Sequence, residues 1–129
     1  MSSVLHELAN EQFVSITTFK RDGTPVSTPV WVAGENGNLL VISEADTWKV
    51  KRIRRDGHVR VAPCSARGVV RGAPIEADAE IDPDTEAVEI LLARKYGWMY
   101  RAYVRFSALT RRLRRQPAPA GVTIRITLR

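Results

Sequence analysis

Apolar and polar positions alternate most cleanly over residues 75–82, where Ile75, Ala77, Ala79 and Ile81 fall on one face and Glu76, Asp78, Glu80 and Asp82 on the other. A period of two marks a strand with one buried face. The chain closes on the same pattern, with Val122, Ile124, Ile126 and Leu128 alternating with Thr123, Arg125, Thr127 and Arg129. Its arginines are therefore expected to pair across a sheet with the acidic face of 75–82. Between these stretches the spacing becomes helical. Asp82-Pro83 predicts a helix start, Val88, Leu91 and Leu92 give that helix an apolar face, and Gly97 interrupts it. A second helix follows, with Met99, Ala102, Tyr103, Phe106, Leu109 and Leu113 at intervals of three and four.

The front of the chain reads as a short helix over 3–10 capped by Ser3, then as strands. Phe13–Phe19 is rich in β-branched and aromatic residues and runs into Lys20-Arg21-Asp22-Gly23, a hairpin signal because glycine takes the positive φ of a tight turn. The next run, PVSTPVWVAG, carries Pro25 and Pro29. Neither can donate to a ladder, which predicts an edge, a bulge or a ligand beside the strand. Glu35-Asn36-Gly37 makes another turn before the strand Asn38–Ser43, and the three strands are expected to form an antiparallel meander. Asp46 or Thr47 then caps a helix over 47–56, with Val50 and Ile53 inward. His58–Pro63 returns to alternation, and Ser65–Pro74, with Gly68 and Gly72, reads as a loop or a bulged extension. Arg111–Arg115 and QPAPAG form a linker to the last strand. The order predicts a mainly β (α+β) fold, a small antiparallel barrel with helices packed on it.

Composition narrows the chemistry. With 129 residues, the chain is expected to form one domain with one core. No stretch is apolar and long enough to span a membrane, and the first residues lack the order of a signal peptide, so a cytoplasmic location is expected. Cys64 is the single cysteine, which excludes an internal disulfide and a cysteine metal cage; in HVRVAPC it reads as a small core residue. His6 and His58 have no metal-binding spacing, and no triad or metal site is expected. The formal charge of +6 comes from sixteen arginines and four lysines against 14 acids. It invites a polyanion partner, but aromatic stacking residues do not interleave with the basic run, Trp48 excepted. No Gly-rich phosphate loop of the Rossmann or P-loop kind occurs.

The basic run itself is the strongest functional signal. Lys49, Lys51, Arg52, Arg54 and Arg55 crowd ADTWKVKRIRRDG, a helix that begins directly after a strand. A helix N-terminus beside lysine and arginine offers fixed donors and positive potential to an anion.

FVSITTFKRDGTPVSTPVWV and LLVISEADTWKVKRIRRDGHVRVAPC resemble the flavin-binding split β-barrel proteins related to pyridoxamine 5′-phosphate oxidase. More narrowly they are similar to the actinobacterial branch that uses the deazaflavin coenzyme F420. The resemblance implies a split barrel of six or more antiparallel strands and a homodimer with two cofactor sites at the subunit interface. Residue by residue, Lys49 matches the phosphate-binding lysine, with Lys51 and Arg52 as neighbouring contacts. Thr28, Pro29 and Val30 match the strand whose backbone lines the flavin ring, and Ser43 matches a polar residue closing the strand before the helix.

The implied activity is hydride transfer from reduced F420 to an unsaturated small molecule. The organic chemistry is the cofactor's, so no catalytic side chain is assigned. FMN on the same fold is the alternative, and a non-enzymatic cofactor- or nucleic-acid-binding module is a third reading.

Overall fold

A computed structural model describes residues 2–115 and 121–129. QPAPA, part of the expected linker, lies outside them. The described elements are α1 (Ser2–Ala9), β1 (Phe13–Phe19), β2 (Pro25–Val30), β3 (Ala33–Glu35), β4 (Asn38–Glu44), α2 (Trp48–Arg55), β5 (His58–Cys64), β6 (Ile75–Asp82), α3 (Glu86–Tyr96), α4 (Trp98–Leu113) and β7 (Gly121–Leu128). One antiparallel sheet runs in the order β2-β1-β5-β6-β7-β4-β3 and curls into a split barrel whose edges are β2 and β3.

The interior is aliphatic. Val14, Ile16, Leu39, Val41, Val59, Val61, Ala77, Ile124 and Ile126 turn inward, and Val50 and Ile53 of α2, with Leu8 of α1, pack against them. A second cluster lies where α3 meets β3 and β4: Val88, Leu92 and Tyr96 cover Ala33 and Leu40. Cys64 is buried, and burial raises its thiol above the ordinary value, as a core role requires.

The expected meander does not form. β1–β2 and β3–β4 are separate hairpins at opposite ends of the sheet. The chain breaks from strand geometry at Trp31 and Val32, and α3 supplies what the ladder loses. Val32 N donates to the Tyr96 hydroxyl at 3.1 Å, and Lys95 Nζ donates to Val32 O at 2.6 Å. Lys95 also donates to the carbonyls of Ala9 and Glu11, and burial pulls its ammonium down to about 8. Buried backbone groups need such partners, and here side chains from far along the sequence allow the crossing.

Other expectations shift by a few residues. Ser3 lies within the first helix rather than before it. Asp82 ends β6 instead of starting a helix: its carboxylate accepts from Asp84 N, and Asp84 in turn accepts from Glu86 N, where α3 begins. Arg111 belongs to α4 and not to a linker. Gly97, at φ 57 and ψ −125, holds the break between α3 and α4 in a conformation that a side chain disfavours. Across the sheet's outer face Arg129 pairs with Asp78 at 2.7 Å and Arg125 with Asp82 at 3.2 Å, as the alternation predicted. Arg60, directly opposite Glu76, pairs with it at 2.7 Å, and His58 bonds the other oxygen of the same carboxylate.

Candidate functional site

The basic segment folds as α2 because Val50 and Ile53, three residues apart, are both buried against the barrel. The other residues of the helix are exposed or, at Lys49 and Arg52, half-buried. Trp48, Lys51, Arg52 and Arg55 recur at i, i+3, i+4 and i+7 and so share one face. That face meets the β1–β2 turn. Together they form an open groove of about 650 Å³ lined by Lys20, Arg21, Trp48, Lys51, Arg52 and Arg55.

The groove has five cations, one indole and no carboxylate. Asp22, beside it in the turn, accepts from Thr24 N at 3.0 Å, and hydrogen bonding from the side chain and then the backbone of Thr24 holds its carboxyl below the ordinary value. Arg55 donates one bond to Phe19 O at 2.6 Å, which ties the end of α2 to the end of β1. Trp48 is 69% exposed, and Lys51 Nζ sits 4.5 Å from its ring centroid, within cation–π range. Like charges gathered this closely repel one another in the free protein, and an anion relieves them.

The N-terminus of α2 adds donors. Thr47 precedes the helix with extended backbone angles, yet its side chain makes no capping bond. Its hydroxyl donates to Glu44 O at 3.1 Å and lies 3.1 Å from Ser43 Oγ. The first intrahelical bond runs from Lys51 N to Thr47 O, so the N–H groups of the first turn have no side-chain acceptor and the turn contains no acidic residue. Such an end attracts anions.

The predicted site residues separate into three places. Lys51 and Arg52 lie in the groove. Lys49 does not line it. It is half-buried on the neighbouring flank of α2, where desolvation lowers its ammonium and the charge of Glu44 partly offsets that. It makes no hydrogen bond or ion pair among the described residues. Ser43 shapes the β4–α2 junction through Thr47.

Thr28, Pro29 and Val30 occupy the edge strand β2, opposite Ile16, Ser15 and Val14. They begin three residues past Pro25, about 10–16 Å along the strand from the groove end of the hairpin. Pro29 faces the loop after β5, close to Gly68. The prolines stand on the edge, as expected.

Lys20 and Arg21 are legible in the sequence only as turn residues, because the strand pairing that swings the turn onto α2 is a long-range event. Arg55 stands in the basic run but outside the residues matched to cofactor contacts, although it completes the i, i+3, i+4, i+7 face with Trp48. Of the aromatic residues near the helix break, Tyr96 stacks on Trp31 at 4.7 Å and Tyr103 meets the same indole edge-on at 5.4 Å, whereas Trp98 is 77% exposed.

The architecture is that of a split β-barrel: a curled antiparallel sheet with helices packed on it and a basic groove at a strand–helix junction. The sequence profile of the pyridoxamine 5′-phosphate oxidase family matches residues 3–128, and the chain belongs to that family. No curated protein sequence matches it.

Among solved structures, a conserved hypothetical protein of Mycobacterium tuberculosis is similar with a TM-score of 0.68 and 21% identity, over 99% of this chain and 79% of that one. A protein described as an F420 reductase has a TM-score of 0.61 and 18% identity, over 96% of this chain and 92% of the other. A pyridoxamine 5′-phosphate oxidase-like protein of Listeria innocua has a TM-score of 0.60 and 16% identity, over 98% and 91%. At these identities the likeness is one of fold. Among the described residues no helix is long and apolar enough to cross a membrane, and no group of three or more His, Cys, Asp or Glu is placed to hold a metal ion.

Proposed function

We propose that this protein is a cytoplasmic oxidoreductase that uses coenzyme F420, reducing an unsaturated small molecule, and that it works as a homodimer with cofactor sites at the subunit interface. The observation that carries the reading is the groove between the β1–β2 turn and α2. Five cations without a carboxylate, next to a helix start whose N–H groups lack a side-chain acceptor, fit a phosphate-bearing cofactor.

When bound, a reduced deazaflavin supplies the hydride. The chain's own residues do the rest. Lys51, Arg52, Lys20 and Arg21 hold the phosphate, with Lys49 approaching from the adjacent flank. The backbone of the edge-strand residues Thr28, Pro29 and Val30, half-buried in this chain, would orient the ring at the far end of the same hairpin. Trp48 forms an apolar wall of the open groove.

FMN fits the same donors, and one experiment separates the two. Purified protein is titrated with F420 and with FMN, and ligand fluorescence is followed. The proposal expects protein that is colourless when made in a host lacking F420, saturable binding of F420, and weaker binding of FMN. Yellow protein carrying FMN, or a chain that binds neither, overturns it.

A further inference from the structure

Lys49 is half-buried and, among the described residues, has no ion pair and no hydrogen-bond acceptor. A desolvated ammonium is costly without a partner. An acid is nonetheless at hand. Glu44 ends β4 five residues earlier, and its charge acts on the Lys49 ammonium. Its backbone is fixed where the helix begins, since Glu44 O accepts from Thr47 N at 3.3 Å and from Thr47 Oγ1 at 3.1 Å. The carboxylate is turned elsewhere. Arg111 of α4, 67 residues away in sequence, donates to Glu44 Oε1 at 2.5 Å.

We propose that Arg111 is a positioning residue: it holds the Glu44 carboxylate off Lys49 and off the first turn of α2, and so keeps both open to an anion. This deepens the reading above and rests on it, because that end of α2 is where the reading puts the cofactor's phosphate.

The bond does little else. The Arg111 side chain is 30% exposed and that of Glu44 46%, and a pair this open to water adds little stability. What it fixes is the direction of a negative charge. Freed from Arg111, the carboxylate has two competing partners within the same turn. One is the Lys49 ammonium. The other is the set of first-turn N–H groups, which lack a side-chain acceptor and attract carboxylates as readily as phosphates. Either partner would put the chain's own acid where the ligand's anion belongs, and a carboxylate left nearby also repels that anion.

The placement of Arg111 suits the task. α4 contains no acidic residue, so nothing on its own helix competes with Glu44 for the guanidinium. The charge of Glu44 is thereby balanced from outside the basic helix, and no lysine or arginine of α2 is used up in balancing it.

Two measurements on the full chain test this. In the first, the Lys49 ammonium is titrated by nuclear magnetic resonance of the lysine Cε signals without ligand, Lys49 being assigned by its loss in Lys49→Met. Arg111→Met is expected to raise the Lys49 midpoint, because Glu44 then pairs with it. Glu44→Gln is expected to lower it, and adding Arg111→Met to Glu44→Gln to change nothing further. Arg111→Lys, which keeps the charge, should behave as the wild type.

In the second, the same variants are titrated with F420 by fluorescence and with inorganic phosphate by the Lys49 signal. Arg111→Met is expected to bind each roughly 3–10-fold more weakly, the effect of one uncompensated charge beside the ligand. The Arg111→Met/Glu44→Gln double variant should recover wild-type affinity. A merely structural role for Arg111 predicts no such recovery. An unmoved Lys49 midpoint in Arg111→Met, unchanged affinity for phosphate, or a loss that persists in the double variant overturns the proposal. A wild type that binds phosphate at Lys49 but not F420 sinks the cofactor reading alone, and one whose Lys49 signal ignores both ligands sinks both.

Discussion

Lys49 is a cation that the fold keeps half-buried and unpaired, and desolvation lowers its ammonium below the ordinary value. A folded-state pKa below the unfolded one means that the charged lysine costs stability wherever it is protonated in both states. Retaining it makes physical sense if an anion compensates. Lys49→Met keeps the stem and removes the charge. It is expected to melt at or above the wild-type temperature without ligand, yet to bind F420 roughly 10–100-fold more weakly, the equivalent of about 1.5–3 kcal/mol for a charge-assisted hydrogen bond. Parallel melts and titrations check both halves, and unchanged affinity would remove Lys49 from the site. At this scale the sequence revealed which residues are basic. The inward pair Val50 and Ile53, legible in the sequence, already puts Lys49 and Lys51 on different flanks of α2; what the sequence did not reveal is that the β1–β2 turn closes against the Lys51 flank and not the Lys49 flank.

Elements were more legible than their neighbours in space. The strand 75–82 and the last strand pair as their alternation implied, with Arg125 and Arg129 on the acidic face. The turns at Asp22-Gly23 and Asn36-Gly37 stand where their residues placed them, Asn36 at φ 50 and Gly37 at φ 81. What the local pattern lacked was the crossing between β2 and β3. Its backbone bonds come from Lys95 and Tyr96, 63 and 64 residues away from Val32, and no window of sequence joins them. Tyr96→Phe removes the acceptor for Val32 N and the donor to Gln12 O. Val32 is fully buried, so an orphaned N–H there should cost about 1–3 kcal/mol. Urea denaturation of the variant measures this; a loss near zero would show that the crossing does not depend on the Tyr96 hydroxyl.

Across the whole molecule, charge has two separate settings. On the outer face of the sheet Glu76 is held below its ordinary value by His58 and Arg60, and Asp78 by Arg129. Depressed carboxylate pKa values contribute stability that is present above the unfolded values of 4.5 and 3.8 and is lost as pH falls through the lower folded ones. Melting temperature is therefore expected to fall as pH drops below about 4.5, and Glu76→Gln to flatten that fall. An identical pH profile in the variant would contradict the assignment. In the groove, by contrast, cations gather without acids, and this imbalance is what the functional account rests on.

The most direct measurement compares F420 with its chromophore fragment lacking the phosphate side chain, each titrated by fluorescence into the wild type and into the Lys51→Ala/Arg52→Ala double variant. The account predicts that the wild type prefers F420 strongly, and that the variant loses most of that preference while binding the fragment as before. Equal loss for both ligands, or no preference in the wild type, would contradict it.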